Sequence, residues 1–317
     1  MASGYRVLPK VSDYLSPEQT ASLRGKSDLV GALLVLHAWA LIGGSMALFA
    51  TWPNPFTFLL AVMVIGGRQL GLAILMHDAA HGLLFSNRRV NDWVGAWLCA
   101  YPVFTSLALY RPYHLKHHRF TQQPEDPDLG LSAAFPITAK SLWRKVVRDL
   151  TGRTAFTRRR EQFRSGVAVR EGLIVNAVLW AALATAGYWW LYPALWLLPL
   201  ATWYQLVSRI RNIAEHAVVP DNDDPLRNTR TTRANPAIRL LVAPYWVNYH
   251  LEHHLFMFVP CWRLPQAHRA LLAAGRRGEM ELQPGYAAVL REATSLKMEG
   301  GRGAPRKFSG SRGAQHI

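Results

Sequence analysis

Apolar residues in this chain gather in long blocks, not in the short periodic stretches of a soluble core. The first block runs from Leu29 to about Trp52 without a charge, and the second from Phe56 to Met76 with only Arg68 and Gln69 to interrupt it. A third, longer block from Leu173 to Leu206 is broken near Gly187 to Pro193. Crossing hydrocarbon takes roughly 20 residues of helix. The pattern therefore predicts an all-α integral membrane protein with four transmembrane helices in two hairpins, over about 29–52, 56–76, 173–189 and 191–208. Buried helices of soluble proteins rarely run so far without a charge, which argues against a soluble bundle. The turns Trp52-Pro53-Asn54-Pro55 and Tyr188-Trp189-Trp190-Leu191-Tyr192-Pro193 are short, aromatic and uncharged. Trp and Tyr favour the headgroup level.

The polar segments between the blocks set the orientation. The stretch from Lys140 to Arg170 holds ten Lys or Arg and only Asp149 and Glu161 as acids, so it belongs on the cytoplasmic side. Lys10, Arg24 and Lys26 put the N-terminus there too, and Arg211, Arg227, Arg230 and Arg233 do so for the C-terminal part. An even number of crossings agrees. The expected organisation is a cytoplasmic N-terminal segment (1–28), a membrane domain (29–275) whose cytoplasmic cap is 77–170 and 209–275, and a C-terminal segment (276–317), disordered from about 298. The first block follows mixed polar sequence and lacks a small-residue cleavage site, so it reads as a retained span. A net charge of +16 raises nucleic acid as a partner, but the basic residues follow no nucleic-acid motif and lie where topology requires them. Two cysteines, Cys99 and Cys261, exclude a disulfide scaffold.

Histidine changes the picture. Nine of the twelve fall in tight groups at the ends of the apolar blocks. They are His77 and His81; His114, His117 and His118; His216; and His250, His253 and His254. Helical residues three and four apart share a face. His77 points with His81, and His114 and His250 each with the two that follow; Asn212 and His216 are likewise a turn apart. Four helical segments can thus converge on one place at the cytoplasmic membrane surface. Nine imidazoles exceed one ion's coordination shell, and two metals with four or five nitrogens each fit the count. Imidazole suits iron, zinc, copper and nickel. Zinc takes three or four protein ligands, often including cysteine, and its hydrolases want His-Glu-x-x-His. Here the pair is His77-Asp78-x-x-His81 and both cysteines lie outside the groups, so iron is favoured. Asp78, Glu215 and Glu252 adjoin ligand histidines, and Asp126 and Asp128 follow the second group. Asp78, Glu215, Glu252 and Asp128 are candidates to orient a ligand ring from behind. His37 reads as a helix-packing residue, His268 as a surface one, and Arg68 as snorkelling or paired within the bundle.

Two irons can activate O₂, whereas zinc has no redox chemistry. At the end of a membrane bundle such a pair suits a lipid, whose chain can enter between apolar helices. No acid/base triad is required, and no nucleophile elbow or dinucleotide-binding loop points elsewhere.

The groups His77-Asp78-Ala79-Ala80-His81, His114-Leu115-Lys116-His117-His118 and His250-Leu251-Glu252-His253-His254 resemble the three histidine boxes of the membrane fatty acid desaturase family, which includes hydroxylases and carotenoid oxygenases. Asn212 and His216 resemble that family's Asn and His after the last span. Tyr249 to Phe256 and Pro124 to Leu129 look like its bacterial branch. The similarity covers roughly residues 30 to 275. It implies a four-span stem in the bacterial inner membrane and a cytoplasmic cap holding two irons. It also implies an acyl-chain substrate, with O₂ reduced to water as a C=C bond forms. No His-Pro-Gly-Gly motif is present, so a separate electron donor, a ferredoxin or a cytochrome, is implied. Asp92 to Tyr110 and Ala237 to Val247 would lie as amphipathic or re-entrant helices. Three residues, not four, separate His77 from His81, which resembles acyl-lipid, sphingolipid and carotenoid enzymes more than those acting on coenzyme A thioesters. A hydroxylase or ketolase of a lipid or carotenoid is the alternative on the same ligands, and a non-enzymatic membrane metal-binding protein a further one.

Overall fold

The computed structural model describes residues 10–166 and 169–296. The tail predicted to be disordered from Met298 lies outside the described residues. After a short helix α1 (Pro17–Leu23), two long helices form a hairpin, α2 (Asp28–Thr51) and α3 (Pro55–Ala80). Their N-termini are set by local chemistry. The Ser27 hydroxyl accepts the Val30 amide at 3.3 Å, and Asn54 accepts the Phe56 and Thr57 amides at 3.0 Å with Pro55 at the first helical position.

These two helices are unlike in burial. α2 exposes Leu29, Leu33 and Leu36, while α3 is buried almost continuously from Val64 to Ala80 and packs against more elements than any other helix does. Close approach depends on absent side chains: a Cβ on Gly67 would lie 2.8 Å from the Leu240 carbonyl oxygen. Arg68 pairs within the bundle, donating to the Arg239 and Leu240 carbonyls at 2.8 and 2.7 Å. His37 packs on Tyr245, with Nδ1 3.1 Å from its hydroxyl.

Helix α4 (Arg88–Val94) runs on through wider and tighter turns to Val103. The chain then bends by 94° into α5 (Leu107–Phe120), with Phe104 at φ +57° in the bend. Such a bend is that of a broken span or of a re-entrant segment. Next come α6 (Leu129–Ser132), α7 (Ala139–Leu150), α8 (Arg153–Ser165) and α9 (Val169–Thr185). The stretch expected as one span over 191–208 is instead a widened turn of helix (Tyr192–Leu197), then α10 (Leu198–Ala201), then α11 (Trp203–His216). Pro193 and Pro199 lack the amide hydrogen that a regular ladder needs, and Thr202 leaves the helix at φ −121°, ψ −83°. Hydropathy does not register such breaks. Among the described residues, α2 and α3 are long and apolar enough to cross a membrane, and the bent pair through α5 becomes a third if counted as one span.

The C-terminal part closes over the end of α3. It comprises α12 (Pro236–Leu241), α13 (His250–Leu255), α14 (Leu264–Ala273) and α15 (Tyr286–Ala293). A two-residue parallel pairing of β1 (Thr231–Thr232) with β2 (Leu282–Gln283) is a small departure from an all-helical chain.

Candidate metal centre

The end of α3 supplies His77 and His81, α5 supplies His114, His117 and His118, the last residue of α11 is His216, and α13 supplies His250, His253 and His254. All nine converge, in two clusters. His77, His81, His114, His118 and His253 form one, and His117, His216, His250 and His254 the other; within each, one ring nitrogen per residue lies within 4.8 Å of all the rest.

Spacing alone grouped each triplet on one face, and the geometry divides it. Residues four apart on a helix are offset by only about 40°, whereas the residue before the second of them points further round. In α5 the pair His114/His118 goes to the five-histidine cluster and His117 to the four-histidine one. In α13 the pair His250/His254 goes to the four-histidine cluster and His253 to the other. The two triplets are shared reciprocally.

The distances fit metal ligation. His118 Nε2 lies 2.8 Å from His114 Nε2 and 3.0 Å from His253 Nε2. His250 Nε2 lies 2.8 Å from His216 Nε2 and 3.0 Å from His254 Nε2. Adjacent ligands at about 2.1 Å from one ion stand about 3 Å apart. Hydrogen bonding cannot explain the mesh, because one ring proton cannot serve two neighbours. Both ring nitrogens of His77 and Nε2 of His81 are buried without a partner. A bound cation would meet that need. Burial, followed by neighbouring positive charge, holds His216, His250, His253 and His254 well below the usual imidazole range. They are therefore neutral, the form that binds metal. Five nitrogens in one cluster exceed the tetrahedral set that zinc prefers, four in the other match it, and imidazole donors suit iron, copper and nickel as well as zinc.

The carboxylates divide differently from expectation. Asp126 Oδ1 lies 2.8 Å from His117 Nδ1. Burial pushes His117 down, but the hydrogen bond and charge of Asp126 outweigh it and raise the ring above its usual range. Asp128 accepts the Tyr113 hydroxyl at 2.5 Å and stands 3.8 Å from His117. The loop after the second histidine group thus carries a ring-orienting acid, Asp126, two residues before the Asp128 singled out from the sequence. Glu215 accepts Arg211 at 2.6 Å and lies 3.6 Å from His250 Nδ1. Burial pushes its carboxyl up to about 7 despite Arg211. Asp78 accepts the Cys261 amide at 2.9 Å and is 3.8 Å from His77 Nδ1. Glu252 is held by the Thr231 hydroxyl and by His268 at 2.5 Å. His268 is thus tied to the site's support, not a bare surface residue. Asn212 sits one turn before His216, half-buried.

Thr121 completes the support. Its hydroxyl donates to the His117 carbonyl at 2.9 Å, which leaves its oxygen to accept from His254 Nδ1 at 3.2 Å. That fixes the tautomer with Nε2 free for metal. Tyr110 stacks on His114, with ring centroids 5.0 Å apart and planes 12° apart. A cavity of about 550 Å³ reaches His81 and His118 of one cluster and His254 of the other, with Leu83, Leu255 and Phe258 among its walls.

With this arrangement in place, the family model described as fatty acid desaturase matches residues 50–284, most of the chain. The chain belongs to the fatty acid desaturase family. It is similar to a dihydrorhizobitoxine desaturase of Bradyrhizobium elkanii, 27% identical over 91% of this chain and 85% of that protein. It is also similar to a β-carotene ketolase of Paracoccus sp. (strain PC1), 28% identical over 74% of this chain and 87% of the other. A β-carotene 4-ketolase of Protosiphon botryoides is 23% identical over 80% of this chain and 59% of its own length. The histidine boxes, the paired clusters and the apolar helices of this membrane protein agree with that membership.

Proposed function

We propose that this chain is an O₂-dependent di-iron acyl-lipid desaturase that forms a C=C bond in an acyl chain and draws its electrons from a separate ferredoxin- or cytochrome-type protein. One observation carries the reading: a single cavity, lined by Leu83, Leu255, Met257 and Phe258 and also by Arg24, Lys26 and Arg119, reaches histidines of both clusters, so a chain lying on the apolar part could bring one carbon to both sites. The nine histidines named above would hold the irons, with Asn212 placed to complete a shell directly or through water. Bound there, iron supplies the O₂ activation and the abstraction of hydrogen from an unactivated C–H bond. The protein's own part is positional. Asp126 and Thr121 orient His117 and His254, Tyr110 packs flat on His114, and Leu83, Leu255 and Phe258 offer the chain an apolar surface.

In this reading the membrane is that of a bacterial cell, crossed four times, with both termini and the histidine cap cytoplasmic. α2 and α3 are the first hairpin, and α9 with the segment after Tyr188 is the second. Support comes from the exposed Leu173, Ile174, Val178 and Trp180 on α9 and from Tyr188 and Trp189 exposed at its turn.

A ketolase or hydroxylase is the second reading, favoured by the relatives named as carotene ketolases. Both share the first hydrogen abstraction and differ in whether a second hydrogen leaves or oxygen arrives. Expression in a host supplied with labelled acyl lipids and β-carotene, with a reducing system, separates them by product mass. An acyl product short of two hydrogens supports desaturation. A carotenoid that has gained oxygen establishes the second reading, and unchanged substrates with iron bound would overturn both.

A further inference from the structure

Two helices between the second histidine group and α9 carry an exposed face that neither the metal centre nor the cavity uses. On α7, Trp143, Val147 and Leu150 recur at helical spacing along the outside, with Trp143 64% exposed. Beside them on the same outer half run Lys140, Arg144 and Arg148, all exposed. α8 repeats the arrangement. Phe156 (71% exposed) and Phe163 stand seven residues apart, flanked by exposed Arg153, Arg160 and Arg164 and by one exposed acid, Glu161.

This face cannot fold inward, because the opposite sides of both helices are already fastened. Asp149 of α7 accepts Arg209 of α11 at 2.8 Å. Arg158 of α8 donates to Gln205 at 3.0 Å, Arg159 to the Phe104 carbonyl at 3.0 Å, and Gln162 to that same carbonyl at 2.9 Å. An apolar strip edged by cations is what lies at a bilayer surface, with aromatic and aliphatic side chains roughly 5–10 Å into the headgroup boundary and basic side chains among phosphates. Farther along the chain, α9 again exposes apolar side chains, Leu173, Ile174 and Val178.

We infer that α7 and α8 form an in-plane anchor that binds the surface of an anionic bilayer and seats the histidine cap against it. Charge complementarity, with exposed aromatic and aliphatic side chains set between the cations, favours an anionic bilayer over an acidic protein partner. The anchor does not depend on the reaction catalysed.

The test places spin labels on the full chain in bilayers of phosphatidylglycerol and phosphatidylcholine. Cys99 and Cys261 are buried, so Val147→Cys, Phe156→Cys and Phe163→Cys can be labelled selectively, with Glu125→Cys as an exposed control. Labels at 147, 156 and 163 are expected to be relaxed by oxygen, which partitions into lipid, and shielded from a water-soluble nickel complex, with the control reversed. In the unlabelled chain, Lys140→Gln/Arg144→Gln/Arg148→Gln/Arg153→Gln is expected to lose the preference for spin-labelled phosphatidylglycerol over phosphatidylcholine at the protein boundary. The inference is overturned if the three labels are as open to nickel as the control. It is equally overturned if they become shielded only when an acidic redox protein is added, or if lipid preference survives the charge removal.

Discussion

The two histidine clusters are built from the same residue type and share helices α5 and α13, yet they are held in different ways. The five-histidine cluster leans on α3, and its rings are positioned by packing: His77 has both nitrogens unpartnered, and His118 Nδ1 has no partner either. In the four-histidine cluster, hydrogen bonds orient two of the four rings from behind, through Asp126 on His117 and Thr121 on His254, while His216 Nδ1 is unpartnered. One cluster has five candidate ligands and no hydrogen bond behind His77 or at His118 Nδ1; the other has four candidate ligands and two rings held from behind. Ligand number and ligand orientation would then be alternative ways of fixing a metal.

Removing a ligand should break that contrast most strongly. His216→Ala leaves three imidazoles in the smaller cluster, and iron is expected to fall from about two per chain to one or fewer. His118→Ala leaves four in the larger cluster and should lose less, by metal analysis of purified protein. Comparable losses in both would refute the idea that surplus ligands protect the larger site. Asp126→Asn keeps the shape but removes the charge behind His117, and should weaken metal retention in the four-histidine cluster by about 10–100-fold against a competing chelator. Glu125→Gln, one residue away and exposed, should change nothing.

Gly67→Ala probes the packing side. Its methyl would meet the Leu240 and Leu241 carbonyls, and a loss of about 1–3 kcal/mol is expected in thermal unfolding in detergent. Acid gives a further separation. The imidazoles of His216, His250 and His254 are held low by burial when folded, while unfolded imidazoles take protons near 6.5. Protons then favour the unfolded chain below that value, so metal-free protein should be stable above about pH 6.5 and lose stability progressively as pH falls. A flat profile between neutral pH and pH 5 would contradict neutral buried rings. The smallest effect is expected from Thr121→Val, about 1 kcal/mol or less, confined to metal held by the smaller cluster. An effect as large as that of His216→Ala would mean Thr121 does more than orient His254.

Much of the centre was legible along the chain because helical periodicity brings residues three and four apart to one side, and the nine histidines use those intervals. Their division into clusters was not legible, since it depends on how far α5 and α13 are rotated about their axes when packed. Asp126 was hidden for another reason: it reaches His117 through a folded-back Pro/Asp loop, and loop acids look solvated until the loop is closed. The α2–α3 hairpin could be read from hydropathy and from the Asn54-Pro55 start. The interruption at Thr202 could not, because hydropathy averages over prolines that cost backbone hydrogen bonds but no apolar character. His268 looked isolated because its partner, Glu252, is sixteen residues away in sequence.

The reciprocal sharing of the two triplets has a consequence for assembly. α5 and α13 each serve both clusters, so neither helix can turn to improve one without spoiling the other. An ion held in one cluster would therefore also hold two of the helices whose orientation the other cluster shares.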